Sequence, residues 1–144
     1  MVKTKDIRLL IAEDDEEMCE ELSEILQGQG YSVDTINSGF EAERLINQDN
    51  YDVVLLDLKL PGIKGYEVLR HIRKNQLKVK VVVLTGNPVI TAIENLENKK
   101  KAKSVSNSEV GKADTLELAD AVIPKPFDVE KVIATLEKLT QKTS

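Results

Sequence analysis

The sequence predicts an α/β fold: a doubly wound, five-stranded parallel sheet in a single domain. Three observations carry this. Four short runs are rich in Val, Ile and Leu without polar alternation, the pattern of strands covered on both faces. Helical periodicities fall between successive strands. At 144 residues, with 41% hydrophobic and 31% charged residues, the chain fits one compact domain with a sizeable core.

The elements follow in order. Leu9-Leu10-Ile11-Ala12 is the first buried strand. Met18, Leu22, Ile25 and Leu26 share one helical face behind it, and Gly28 and Gly30 end that helix. Tyr31 to Ile36 alternates and predicts a more exposed, outer strand. Ser38-Gly-Phe-Glu41 has the form of a capping box, followed by Ala42, Leu45 and Ile46. Val53 to Leu56 is the third strand; Val68, Leu69 and Ile72 mark a helix after Gly65. Val81 to Leu84 is the fourth strand. Asn87-Pro88, a cap then a proline at the first position, opens a fourth helix with Ile90, Ile93 and Leu96. Ala121 to Ile123 is the fifth strand. Asp128 caps the last helix, whose face is Val129, Val132, Ile133, Leu136 and Leu139.

This alternation predicts a flavodoxin-like sheet of strand order 2-1-3-4-5, with ligands beyond the carboxyl ends of the strands. One stretch breaks the rhythm. Residues 97–116 are polar, longer than ordinary loops, and predict an insertion between the fourth helix and the fifth strand. Its Lys99 to Lys103 run reads as a solvated segment.

Composition excludes several classes. A net charge of −5 gives no general affinity for nucleic acid. One cysteine, Cys19, permits no internal disulfide, and the expected location is the cytoplasm. The N-terminal stretch is charged too soon for a signal peptide, and no apolar run approaches the roughly 20 residues of a membrane span. Cys19, beside the apolar face of the first helix, is expected to pack. His71, among charged neighbours, is expected on the surface.

The chemistry gathers at the strand ends. Strand one ends in Glu13-Asp14-Asp15, strand three in Asp57, strand four in Thr85 and strand five in Pro124-Lys125-Pro126. Clustered carboxylates repel unless a cation joins them. Hard oxygen donors suit Mg²⁺, which keeps waters and shares its coordination with phosphate. A Lys and a Thr hydroxyl beside it suit a transferred phosphoryl group, and an Asp carboxylate is a competent nucleophile towards phosphorus. Asp57 is therefore the candidate phosphoryl acceptor.

IAEDDEEM, VVLLDLKLPGIKGYEVLRHIR, VVVLTG and IPKPF together resemble the receiver domain of two-component response regulators. The resemblance spans nearly the whole chain apart from the insertion. It implies that Asp14, Asp57 and the main-chain carbonyl of Lys59 hold Mg²⁺, with Glu13 acting through a metal-bound water. It implies that Asp57 takes its phosphoryl group from a sensor histidine kinase or phosphotransfer protein. Thr85 and Lys125 then bind that group and report it to a downstream protein target. It further implies a cis Lys125–Pro126 bond, lifetime tuning at Lys59 and Asn87, and signalling or homodimer pairing through the face of the fourth helix, fifth strand and fifth helix. Nothing in the resemblance calls for direct nucleic-acid or membrane contact.

The sequence departs from the family at Val122, where an aromatic rotamer switch is usual, and at the insertion beside the signalling face. These keep open a degenerate receiver that binds partners without phosphorylation. An Asp-nucleophile phosphatase would want a second acid two residues after Asp57, where Lys59 stands. A flavin module is weaker still, with 3% aromatic residues and an acid cluster facing any phosphate. On the leading reading the domain is no enzyme beyond its own phosphorylation and dephosphorylation. It is either a stand-alone receiver or part of a longer regulator.

Overall fold

The computed structural model describes residues 7–48, 50–62, 64–86 and 117–140. Five strands, β1 (Arg8–Ala12), β2 (Ser32–Ile36), β3 (Val53–Asp57), β4 (Lys80–Thr85) and β5 (Ala121–Pro124), form one sheet. Its order is β2-β1-β3-β4-β5 and every pairing is parallel, as the alternation predicted. The helices α1 (Glu16–Gly28), α2 (Gly39–Gln48), α3 (Gly65–Lys74) and α4 (Val129–Thr140) cover it. The helix expected after Asn87-Pro88 and the 97–116 insertion lie outside the described residues.

The unalternating strands alternate in space. Leu9 and Ile11, Val53 and Leu55, and Val82 and Leu84 pack with Cys19, Leu22 and Leu26 of α1 and Val132 and Leu136 of α4. Leu10 and Ala12, Val54 and Leu56, and Val81 and Val83 face the other way, onto Ala42 and Ile46 of α2 and Val68, Leu69 and Ile72 of α3. Successive strand side chains point to opposite faces, so a sheet coated on both sides needs apolar residues at every position. β2 is half exposed at one edge.

Local signals close the helices. The Asp15 side chain accepts from the Met18 amide and caps α1. Ser38 Oγ accepts from the Glu41 amide at 3.2 Å. The Glu41 carboxylate turns to Arg44 instead, so only half of the expected capping box forms. His71 lies at the surface as expected, partly covered, its Nε2 3.0 Å from Asn47 Oδ1 and its Nδ1 3.2 Å from Asn75 Nδ2. It joins α2 to α3 at the surface.

Candidate functional site

In a parallel sheet every strand delivers its carboxyl end to the same edge. The register pairs Ala12 with Leu56, Asp57 with Leu84, and Thr85 with Pro124. Glu13, Asp57, Thr85 and Lys125 therefore leave neighbouring strands at one level. Glu13, Asp57 and Thr85 are 2%, 4% and 3% exposed, and they are the buried polar or charged side chains among the described residues. Polar groups in a core otherwise apolar are costly unless partnered, and all three lie at this one edge.

Partners are present. The Lys125 ammonium stands 2.9 Å from Glu13 Oε1 and 3.6 Å from Asp57 Oδ2. The Asp15 amide donates to Glu13 Oε2 at 3.1 Å, and the Lys59 amide donates to Asp57 Oδ1 at 3.1 Å. The Lys125 amide donates to the Thr85 carbonyl at 2.8 Å, which ties the loop after β5 to the end of β4. The Lys125–Pro126 bond is cis, as the resemblance implied. Asp14, next in the chain to Glu13, is exposed. Val122 is partly buried and packs against the α2–α3 side of the core.

The electrostatics follow from this crowding. Burial and the adjacent Asp57 raise the Glu13 carboxyl above its ordinary value of 4.5, against the opposing pull of Lys125 and the Asp15 amide. Burial by itself would lower the Lys125 ammonium; its bond to Glu13 and the charges of Asp57 and Glu13 outweigh that and hold it above 10.5. Cys19 packs as expected. Its thiol approaches the Glu13 carbonyl at 3.5 Å, and burial with the nearby acids pushes it up to about 11, which leaves it a poor nucleophile.

Two features were not read from the sequence. The Lys59 amide is a donor to Asp57, where only its carbonyl had been considered. Gly65 is the other: a Cβ there would lie 2.6 Å from Leu58 Cα and 2.7 Å from the Asp57 carbonyl. Only glycine lets α3 begin directly beneath the acceptor strand. The glycine after Pro61-Gly62-Ile63-Lys64 was the available signal.

Among the described residues no three His, Cys, Asp or Glu side chains form a ready-made metal cage. The oxygen donors the structure brings together are the two buried carboxylates of Glu13 and Asp57. That set fits a hard cation that keeps several waters, such as Mg²⁺, and does not fit a soft or tetrahedral metal.

Comparison with known proteins agrees with this geometry. The chain belongs to the response regulator receiver domain family, whose model matches residues 9–137. It is thus a receiver domain of the two-component response regulators. It is 30% identical over 138 residues to the transcriptional regulatory protein TctD of Salmonella typhimurium, covering 96% of this chain and 54% of that one. It is 28% identical to the transcriptional regulatory protein TcrA of Mycobacterium tuberculosis, covering 97% and 48%. The chain thus spans about half the length of these curated relatives. Among solved structures it resembles the response regulator TrrA of Thermotoga maritima in complex with Mg²⁺–BeF, with TM-score 0.70, 30% identity, and coverage of 92% and 98%. A CheY-like receiver domain protein of Methanospirillum hungatei matches with TM-score 0.71, 26% identity, and coverage of 92% and 93%.

Proposed function

We propose that this receiver is a phosphoacceptor and that Asp57 is its acceptor. The observation that carries the reading is the setting of Asp57: buried at the end of β3, beside a second buried acid, with an ammonium 3.6 Å from one carboxylate oxygen and a main-chain amide 3.1 Å from the other. In this reading an Asp57 oxygen attacks the phosphorus of a kinase phosphohistidine or of a phosphotransfer protein. The new P–O bond forms as the P–N bond breaks, and the imidazole leaves with the electron pair and takes a proton. Thr85 and Lys125 bind the transferred oxygens. Asp14, Asp57, the Lys59 carbonyl and, through water, Glu13 would hold Mg²⁺, which supplies charge neutralisation at the phosphoryl oxygens. The TrrA structure, solved with Mg²⁺–BeF, supports this metal assignment.

The only chemistry in this reading is on the chain itself. The output is contact with a downstream protein through a face that includes β5 and α4, and the workplace is the cytoplasm, beside the kinase. No helix among the described residues is long and apolar enough to cross a membrane.

Incubation with Mg²⁺ and acetyl phosphate, followed by intact mass measurement, tests the reading. One added phosphoryl group, absent without Mg²⁺ and in Asp57→Asn, is expected. No addition, with no Mg²⁺ binding, would overturn it in favour of a receiver acting without phosphorylation. The aliphatic Val122 at the usual aromatic switch position favours that second reading.

A further inference from the structure

The loop between β3 and α3 carries the Lys59 amide that donates to Asp57 Oδ1, so whatever holds this loop sets that contact. Its inward side chains, Leu58 and Leu60, are buried with Ala42 and Ile46 of α2. The Pro61 carbonyl accepts from the Gly39 amide at the start of α2, at 3.0 Å. Gly62 follows with φ +81°, a left-handed turn that favours glycine. Over it lies the ring of Phe40: a Cβ at Gly62 would meet Phe40 Cδ2 at 2.7 Å and Cε2 at 2.9 Å.

Phe40 is otherwise out of place. It is 64% exposed, the most exposed large hydrophobic residue among those described, on the solvent side of an amphipathic helix. Its capping-box position between Gly39 and Glu41 needs no aromatic side chain. The contact it does make is with the glycine turn.

We infer that Phe40 is a positioning residue for the phosphoacceptor site, clasping the Pro61-Gly62 turn to α2 and thereby holding the Lys59 main chain against Asp57. This rests on the phosphoacceptor reading for its consequence, but the clasp itself stands on geometry alone. The ring covers the turn from outside while Leu58 and Leu60 anchor it from inside. The segment between these anchors presents the Lys59 amide to Asp57 Oδ1. Without the ring, the turn keeps its inner anchors and loses its outer restraint. The fold stays, and the Lys59 backbone samples positions away from the carboxylate.

Phe40→Ala tests this, with Phe40→Leu as the conservative variant. The chain has no tryptophan, so Phe40→Trp places a single tryptophan on α2 against the Gly62 turn. Two readouts are needed: the exchange rate of the Lys59 amide by NMR in metal-free protein, and a Mg²⁺ titration. Phe40→Ala should speed Lys59 exchange severalfold with β1 and β4 amides unmoved. It should weaken Mg²⁺ binding by about tenfold, the size typical of a group that acts through a ligand. Phe40→Leu should restore most of both, and the Phe40→Trp emission should shift on Mg²⁺ addition. Unchanged Lys59 exchange and unchanged Mg²⁺ affinity in Phe40→Ala would overturn the inference. If wild type binds no Mg²⁺ while Phe40→Ala still frees the Lys59 amide, the clasp is upheld and the phosphoacceptor reading fails.

Discussion

At the residue scale the site is a balance of one cation against buried acids. Lys125 sits closer to Glu13 than to Asp57, 2.9 Å against 3.6 Å, so in the metal-free protein it mainly serves Glu13. That service is incomplete, because burial and Asp57 still hold Glu13 above 4.5. The folded state then binds this proton more tightly than the unfolded chain. Its contribution to stability is full below pH 4.5 and is lost as pH rises through the higher folded value. Urea denaturation in EDTA should show stability falling along that limb, and Glu13→Gln should flatten it. A limb unaltered by the substitution would show that Glu13 carries no such penalty. The site residues themselves were legible in the sequence, since each closes a recognisable apolar run. The donor bond from the Lys59 amide was not, because a main-chain direction is set by the turn and not by the residue's identity.

At the element scale, short-range contacts were read and long-range ones were missed. Ser38 caps α2 through a bond spanning three residues, a distance at which sequence pattern suffices. The corresponding tie at the opposite end of the sheet joins residues far apart. Asp120 Oδ2 accepts from the Val81 amide at 2.8 Å and from Arg73 Nη2 at 2.7 Å. Arg73 also donates to the Leu118 and Val79 carbonyls. The end of α3, the start of β4 and the approach to β5 are thus fastened together at a half-buried point. Asp120→Ala leaves the Val81 amide and the Arg73 guanidinium without this acceptor. We expect a loss of about 1–3 kcal/mol in urea denaturation, the cost of an unsatisfied, partly buried polar group. A loss below about 0.5 kcal/mol, the range of ordinary surface changes, would show that solvent replaces the bond.

At the scale of the whole molecule, folding brings two buried acids together at one edge of the sheet. The sheet is apolar on both faces and, among the described residues, holds its buried charge at the carboxyl edge. On the phosphoacceptor reading a divalent cation there compensates the burial of the two neighbouring acids, so Mg²⁺ should stabilise the native state. At a hundredfold excess over its dissociation constant the gain is about 2.7 kcal/mol by mass action. Thermal melts with Mg²⁺ against EDTA should differ by roughly 5–10 °C for a domain of this size. Asp57→Asn should lose most of the difference. Equal melting temperatures with and without Mg²⁺ would remove the metal from the proposal.

The sequence by itself determined the order of elements, the parallel sheet with its 2-1-3-4-5 arrangement, and the edge at which Glu13, Asp57, Thr85 and Lys125 meet. Hydrophobic period is a local property, and parallel strands must all end on one side. Only the tertiary structure decided which acid Lys125 holds, how the Lys59 amide meets Asp57, why Gly65 has no room for a side chain, and that Phe40 covers Gly62. These depend on the approach of groups as much as 112 residues apart. Their distances are fixed by how helices and loops pack onto the sheet, and no local pattern encodes that.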